Sequence, residues 1–197
     1  MEESQPSRPE FWDTRYAAGQ TPWDFGGVPR RLHEFLQAHP AGGTVLIPGC
    51  GFGHELTAFA AAGWRATAVD FSRTAVEQAR TRLGAPHAER VMHGDFFHHD
   101  FADAPFDLIY ERTFFCALPP AQRTVLVQRA AHLLKPGDTL AGFFYYGTEP
   151  GGPPYALDPA AEPALFRPHF VTVRDEPVAD SPPMFAGKER WQERRRS

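Results

Sequence analysis

Three glycines follow the first strongly apolar run of the chain, and their spacing would let the backbone approach a ligand closely. Residues 44–47 form a short continuous apolar run, as expected of a strand buried on both faces. Gly49, Gly51 and Gly53 come directly after it and lead into a helical pattern. Glycine allows a tight turn, and the first amides of the following helix point at the bound group. This segment predicts a ligand site at a strand–turn–helix junction.

The spacing of these glycines separates two classes of α/β enzyme. Dinucleotide-binding folds use GxGxxG to seat a pyrophosphate, whereas the GxGxG spacing here is the variant of S-adenosylmethionine-dependent methyltransferases. Asp70 ends the next predicted strand, 21 residues after Gly49. A carboxylate at that position can hold both ribose hydroxyls of a cofactor. Taken alone, Asp70 is equally well explained as a turn or helix-capping residue.

The third predicted strand is also followed by residues that could contact a nucleoside. The carboxylate of Asp95 could accept a hydrogen bond from the amino group of an adenine ring, and Phe96 could stack on that ring. A surface turn is the alternative explanation for Asp95. The carboxyl ends of parallel strands share one edge of a sheet, so ligand-binding residues at three successive strand ends are unlikely to coincide by chance. They predict one cofactor site along that edge.

Three aromatic residues near the N-terminus could complete such a site. A capping-box pattern with Ser7 as the capping residue, Glu10 three positions later and a proline between them predicts that a helix begins here. Trp12 and Tyr16 are four residues apart and share a face of that helix, and Trp23 follows in a loop. Aromatic faces attract a cation such as a sulfonium by about 0.5–2 kcal/mol per contact. Packing of the helix onto the core is the alternative explanation.

From residue 44 onward, strand-like and helix-like segments alternate along the chain. This alternation indicates a mostly parallel sheet covered by helices on both faces. We therefore expect an α/β fold with a doubly wound, mostly parallel, seven-stranded and Rossmann-like sheet in a single domain. The predicted strands are residues 44–47, 66–69, 89–93, 106–110 and 139–146, with two closing strands at 170–173 and 188–193. The predicted helices include residues 29–39, 73–83 and 160–166, and Ser72 is expected to cap the second of these helices and Gly84 to end it.

Five motifs are spread over nearly the whole chain, from Phe11 to Arg195. They are Trp12…Tyr16…Thr21-Pro22-Trp23-Asp24, Ile47-Pro48-Gly49-Cys50-Gly51, Phe106-Asp107-Leu108-Ile109-Tyr110-Glu111-Arg112, Phe114-Phe115-Cys116-Ala117-Leu118 and Gly152-Pro153-Pro154-Tyr155. With these motifs the sequence resembles the thiopurine methyltransferase family, which includes plant and bacterial thiol and halide methyltransferases. The N-terminal aromatic set and the Gly-Pro-Pro-Tyr loop are specific to this family, whereas the glycine turn is shared by methyltransferases at large.

The resemblance implies a class I methyltransferase that binds S-adenosyl-L-methionine and releases S-adenosyl-L-homocysteine. In the plant halide and thiol members the position of Tyr16 is a Trp and that of Arg112 a Tyr, whereas the thiopurine members have an Arg preceded by an acid, as here. The chain thus does not match either group at both positions, and these two residues do not decide between their substrates. The implied cofactor-binding residues are Trp12, Tyr16, Trp23, Gly49, Gly51, Asp70, Asp95, Phe96 and Arg112.

The pattern of residues along the chain also predicts how it is divided. Residues 1–8 are expected to be a disordered lead, and residues 9–197 a methyltransferase domain. Within that domain, residues 9–40 would form an N-terminal helical lid and residues 44–197 the α/β core.

Arg112, at the end of the fourth predicted strand, is the candidate catalytic residue. A thiol acceptor needs little base catalysis, because its pKa of about 8.5 already leaves some thiolate at neutral pH. A fixed cation favours that anion. An ion pair of Arg112 with Glu111 or with a surface acid is an equally good explanation.

The acceptor is therefore expected to be a small soft nucleophile, first of all a thiol or a thiopurine sulfur. Halide or thiocyanate, and selenium or tellurium species, are alternatives within the same chemistry. A nicotinamide-dependent oxidoreductase on the same scaffold and a non-catalytic module that binds S-adenosylmethionine are the alternatives from other classes.

Composition excludes several other functions. A net charge of −4 provides no basic surface for nucleic acid, and the arginines at 194–196 are expected to be a solvated tail. Cys50 and Cys116 are expected to be small buried hydrophobic residues in a reducing compartment. No apolar segment is long enough for a membrane span, and adjacent histidines at 98–99 lack metal-ligand geometry. We expect a cytoplasmic protein without a metal, a membrane or a nucleic-acid partner, and a monomer as the simplest state.

Overall fold

A computed structural model describes residues 5–40 and 42–197 of the chain. Its contacts group into two compact units, residues 1–100 and residues 101–197. Half of the predicted disordered lead, residues 1–4, lies outside the described residues. The other half, residues 5–8, forms a turn in which the Arg8 amide donates to the Gln5 carbonyl at 3.0 Å.

The predicted α/β class is confirmed, since seven strands form one mixed sheet and helices connect them. No helix within the described residues is both long and apolar enough to cross a bilayer. The strands are β1 (Thr44–Pro48), β2 (Arg65–Asp70), β3 (Val91–His93), β4 (Phe106–Arg112), β5 (Leu134–Tyr145), β6 (Phe170–Pro177) and β7 (Glu189–Arg196). The helices are α1 (Pro9–Ala17), α2 (Arg30–Ala38), α3 (His54–Ala61), α4 (Arg73–Leu83), α5 (Arg123–Leu133) and α6 (Glu162–Phe166).

In the first unit, three parallel strands lie in the order β3-β2-β1. The short apolar runs of β1 and β2 are buried, which explains why they show no alternation in sequence. Pro48 pairs with Val69, and Asp70 pairs with His93, so the carboxyl ends of all three strands are adjacent. The three strand ends thus meet at one edge of the sheet, as predicted, and ligand binding there stays a prediction.

Helix α4 has the predicted bounds and the predicted ends. The Ser72 hydroxyl accepts a hydrogen bond from the Ala75 amide at 3.0 Å and caps the first turn. Gly84 ends the helix at a φ of 62°, in the left-handed region that glycine adopts without strain. The start of α4, directly after β2, is thus firmly defined.

The predicted start of α1 is correct, but its predicted cap is wrong. The helix begins at Pro9 with Arg8 at the N-cap position, and no side chain caps it, so Ser7 does not serve as the capping residue. Proline at the first position has no amide to satisfy and presets the helical φ, which reduces the need for a cap. The Trp12 indole donates to the Pro6 carbonyl at 2.8 Å and anchors the entering chain instead.

In the second unit, β4 and β5 are parallel, and β7 pairs antiparallel with both β5 and β6. Glu111 and Gly142 are opposite each other on β4 and β5. A Cβ atom at Gly142 would lie 1.8 Å from the Glu111 carbonyl oxygen, so only glycine fits at this position. The close approach fixes the last residues of β4, Glu111 and Arg112, against β5.

The prediction of a solvated arginine tail is wrong. Residues 194–196 continue β7, and Arg194 is 1% exposed. Its guanidinium forms an ion pair with Glu162, donates to Thr172 at 2.9 Å and stacks 3.8 Å from the centre of the Phe166 ring. A buried Arg is tolerated because these partners satisfy it. The sequence did not indicate that Arg194 is buried, because its carboxylate partner lies on a different element, α6.

Candidate active site

The glycine turn has the backbone conformation that the sequence predicts. Gly49, Gly51 and Gly53 have φ values of 58°, 50° and 67°, a region that other residues rarely adopt. The Gly53 amide donates to the Cys50 carbonyl at 2.8 Å, which closes the turn directly before α3. The glycines are therefore required for the shape of this turn.

Asp70 joins the glycine turn to the start of α4. Its two carboxylate oxygens accept hydrogen bonds from the Gly51 amide at 2.8 Å and from the Ser72 amide at 2.9 Å. Burial raises the pKa of Asp70 to about 6, and these two donors oppose the rise. At neutral pH the carboxylate is thus mainly ionised, with lone pairs left for a further donor. Its role towards ribose hydroxyls stays a prediction.

The three predicted N-terminal aromatic residues are brought together beside this turn. Trp23 makes edge-to-face contacts with Trp12 and with Tyr16, at centroid distances of 5.6 and 5.9 Å. A Cβ atom at Gly51 would lie only 2.8 Å from the Tyr16 hydroxyl, so this ring lies directly against the turn. Phe52, which the sequence analysis did not select, packs edge-to-face on Tyr16 at 5.4 Å. The position of Phe52 inside the glycine motif could have indicated that it lies at this site.

The Tyr16 hydroxyl is kept in its neutral form. Burial raises its pKa well above the ordinary value, and the negative charge of Asp70 raises it further. Tyr16 therefore presents an aromatic ring and a neutral hydroxyl group to the glycine turn, with no charge of its own.

Asp95 and Phe96 follow β3 at the same edge of the sheet. The Gly94 amide donates to the Asp70 carbonyl at 3.0 Å, so the segment starts next to the end of β2. Asp95 accepts from the Phe97 amide at 2.9 Å, and its other oxygen lies 2.7 Å from the His98 ring. This is the turn geometry named as the alternative explanation. Phe96 is buried. The adenine contacts stay predictions.

Asp13 is a residue of this region that the sequence analysis missed. One of its carboxylate oxygens accepts hydrogen bonds from the Ser72 hydroxyl at 2.6 Å and from the Thr74 amide at 2.9 Å. Although burial raises the pKa of Asp13, these two hydrogen bonds lower it below the ordinary value overall. Its partners lie 59 and 61 residues further along the chain, so no local pattern could have indicated them.

Arg112 belongs to the second unit, where it is the last residue of β4. It is 9% exposed, and its guanidinium carbon lies 4.8 Å from the centre of the Phe143 ring on β5. An aromatic face at this distance holds a guanidinium by a cation–π contact. The guanidinium of Arg112 is thus buried and in contact with an aromatic ring.

Glu111, the neighbouring acid, is buried on the same strand. One of its oxygens accepts a hydrogen bond from the Phe115 amide at 2.6 Å. Burial raises the pKa of Glu111 to about 8, the charge of Glu189 raises it further, and Arg112 partly offsets this. Glu111 is therefore mainly protonated at neutral pH.

The Gly-Pro-Pro-Tyr loop is attached to the turn that follows β4. The Tyr155 amide donates to the Cys116 carbonyl at 2.6 Å. Arg123 on α5 donates to the carbonyls of Tyr155 and Ala156, both at 2.9 Å. The loop and the turn are thus held as one assembly within the second unit.

Both cysteines are buried, as predicted, at 7% exposure for Cys50 and 5% for Cys116. Burial raises the pKa of each thiol well above its ordinary value, so neither carries the thiolate that a nucleophile needs. Among the described residues, no cluster of three or more His, Cys, Asp or Glu side chains is arranged to hold a metal ion.

Known proteins resemble this chain over most of its length. The family model described as Thiopurine S-methyltransferase (TPMT) matches residues 7–194. A probable thiol methyltransferase 2 of Arabidopsis thaliana is 37% identical over 151 residues, which are 74% of this chain and 66% of that protein, just under two thirds of its length. Thiocyanate methyltransferase 1 of the same plant is 34% identical over 91% of this chain and 83% of its own. A thiopurine S-methyltransferase of Vibrio cholerae serotype O1 is 34% identical over 80% of both chains.

Solved structures share the fold at lower sequence identity. The 1,6-didemethyltoxoflavin-N1-methyltransferase of Burkholderia thailandensis, solved with S-adenosylhomocysteine, matches with a TM-score of 0.76 and 21% identity over 94% of this chain and 85% of its own. A TehB-like SAM-dependent methyltransferase of Corynebacterium glutamicum matches with a TM-score of 0.68 and 15% identity over 94% and 98%. At these identities the likeness establishes the fold alone.

The raised pKa of Glu111 predicts how stability depends on pH. A folded-state pKa of about 8 against an ordinary 4.5 means that the protonated group contributes stability in full below about pH 4.5, and that this contribution is lost as the pH rises through 8. Glu111→Gln removes this loss. We expect its unfolding free energy, relative to the wild type, to increase between pH 5 and 8.5 by a few kcal/mol in order of magnitude, roughly 1.4 per unit of pKa shift.

Urea unfolding at pH 5, 6.5 and 8.5 checks this expectation, with Glu77→Gln on the exposed face of α4 as the matched control. Glu189, whose pKa burial also raises, leaves a residual slope in every variant. Parallel stability curves for Glu111→Gln and the wild type would show that Glu111 titrates normally.

Proposed function

Because the chain belongs to the thiopurine S-methyltransferase family, we propose that it transfers the methyl group of S-adenosyl-L-methionine to a small soft nucleophile, first of all a thiol or a thiopurine sulfur. The single observation that carries this proposal is the glycine turn tied to Asp70 and faced by Tyr16. That arrangement combines a backbone that a ligand can approach, an acceptor carboxylate and an aromatic face.

The residues of the first unit fit the cofactor that the family implies. Gly49 and Gly51 would let the cofactor approach the backbone, and the remaining lone pairs of Asp70 would accept its ribose hydroxyls. Asp95 and Phe96 would contact the adenine ring. When bound, S-adenosylmethionine supplies an electrophilic methyl group on a positively charged sulfur.

The aromatic residues would hold that positive charge and keep water away. Trp12, Tyr16 and Trp23 carry no charge that the sulfonium must compete with, and each ring face attracts a cation by about 0.5–2 kcal/mol. Their edge-to-face contacts with one another keep the rings in place. A thiolate shielded from water is a stronger nucleophile than a hydrated one.

Arg112 would stabilise the anionic form of the methyl acceptor. Its buried guanidinium favours the thiolate over the thiol, since an adjacent positive charge lowers a thiol pKa. The ring of Phe143 contacts the guanidinium, and burial raises the pKa of the neighbouring Glu111 to about 8.

Thiocyanate and halide form the second candidate class of acceptors. Two observations favour it: a thiocyanate methyltransferase aligns with 91% of this chain, and Arg112 suits any small anion. We further propose a reducing, cytoplasmic setting, which is supported by the two buried free cysteines, and a monomer as the simplest state.

The test of the proposed function is methyl transfer from labelled S-adenosylmethionine to a panel of acceptors. The panel contains alkyl and aryl thiols, a thiopurine, thiocyanate, iodide, selenite and tellurite, and calorimetry compares S-adenosylmethionine with NADH. We expect methylated thiols or thiopurine and binding of S-adenosylmethionine alone. Binding without any methylated product would favour a non-catalytic module, and binding of NADH instead would favour an oxidoreductase.

Arg112→Ala is expected to lose acceptor chemistry rather than cofactor binding. Removing one fixed cation that stabilises the nucleophile should lower kcat/KM for thiols by about 10- to 100-fold. The affinity for S-adenosylmethionine should change by less than about threefold, because Asp70 and the glycine turn remain. Arg112→Lys, which retains a charge, should fall in between, and Arg167→Ala on the surface is the control. Equal losses in acceptor turnover and in cofactor affinity would contradict this role.

A further inference from the structure

Asp13 lies on α1 between the positions of Trp12 and Tyr16, but its side chain reaches a different helix. One carboxylate oxygen accepts two hydrogen bonds, from the Ser72 hydroxyl at 2.6 Å and from the Thr74 amide at 2.9 Å. Both donors belong to the first turn of α4. Hydrogen bonds to a carboxylate are the stronger kind, and a helix N-terminus favours a negative charge. A charged side chain thus fastens α1 to the start of α4.

Ser72 links this fastening to the glycine turn. Its buried hydroxyl donates to Asp13 and accepts from the Ala75 amide at 3.0 Å. Its own amide donates to Asp70 at 2.9 Å, and Asp70 accepts from the Gly51 amide at 2.8 Å. A continuous hydrogen-bonded path therefore runs from the glycine turn to α1.

The position of Tyr16 depends on the same fastening. Its hydroxyl lies against Gly51, where an added Cβ atom would be only 2.8 Å away. Its ring packs edge-to-face on Phe52 and Trp23, and its carbonyl accepts from Gln78 of α4 at 3.3 Å. Because the side chain is buried in these contacts, moving it away from the turn requires α1 to shift along α4. Such a shift breaks both hydrogen bonds of Asp13.

We propose that Asp13 is a positioning residue for the cofactor: by fastening α1 to α4 it holds Trp12 and Tyr16 at the glycine turn and sets how long S-adenosylmethionine or S-adenosylhomocysteine stays bound. The proposal rests on the proposed function and adds a residue that controls cofactor residence. Asp13 acts through α1 and takes no part in the chemical step. Its removal should therefore change the cofactor dissociation rate more than the rate of methyl transfer in the loaded enzyme.

The experiment measures the dissociation rate of S-adenosylhomocysteine from the full chain by stopped-flow displacement, with tryptophan fluorescence as the signal. Asp13→Ala is expected to release the ligand about tenfold faster than the wild type, the effect of losing about 1.4 kcal/mol from two charge-assisted hydrogen bonds. Its KM for S-adenosylmethionine should rise by a similar factor, while kcat at saturating cofactor falls by a smaller factor.

Two further variants keep the test decisive. Asp13→Asn retains an acceptor oxygen without the charge, so it should fold and release the ligand at an intermediate rate. Glu10→Gln removes an exposed acid from the first turn of the same helix and should behave as the wild type.

The outcomes separate this proposal from the function on which it rests. Unchanged dissociation in Asp13→Ala and Asp13→Asn, in a protein that binds S-adenosylhomocysteine, would overturn the role of Asp13 and leave the methyltransferase standing. A lowered kcat with an unchanged dissociation rate would do the same. A wild type that binds neither S-adenosylmethionine nor S-adenosylhomocysteine would overturn the proposed function and this proposal together.

Discussion

The buried carboxylate of Asp70 is the constraint on which the first unit depends. It accepts the amides of Gly51 and Ser72, one on each oxygen, and so fixes the glycine turn and the start of α4 relative to β2. A buried charge is costly unless donors satisfy it, and here the donors are backbone amides whose positions the strand and helix already determine. The hydroxyl of the same Ser72 donates to Asp13 on α1. Asp70 is therefore linked through Ser72 to α1 as well as to the glycine turn.

The second unit handles its buried charges in a different way. Glu111 is mainly neutral because burial raises its pKa to about 8, and the guanidinium of the adjacent Arg112 lies against the ring of Phe143. Arg194 forms an ion pair with Glu162 and stacks on an aromatic ring. Arg194 is thus a structural residue of the core, whereas Arg112 is the residue proposed to act on the acceptor.

Local patterns in the sequence predicted the features whose causes are local. The α/β class, the three left-handed glycines and both ends of α4 followed from apolar runs, glycine spacing and a Ser cap. Features that depend on distant partners were missed or wrong. Asp13 caps a helix 61 residues away, and Arg194 is buried because Glu162 lies on another element. Ser7 is not the cap because α1 begins at Pro9, which places Arg8 at the N-cap position.

The most direct test of the account is the dissociation constant of S-adenosylhomocysteine, measured by calorimetry for the wild type and for Asp70→Asn below its melting temperature. An Asn amide turns one acceptor into a donor, which then faces a backbone amide, so the turn loses a hydrogen bond and the cofactor loses a carboxylate. The account predicts binding at least about tenfold weaker than in the wild type. Asp158→Asn, which alters a turn carboxylate in the second unit, should bind normally. Equal affinity for Asp70→Asn and the wild type would contradict the account.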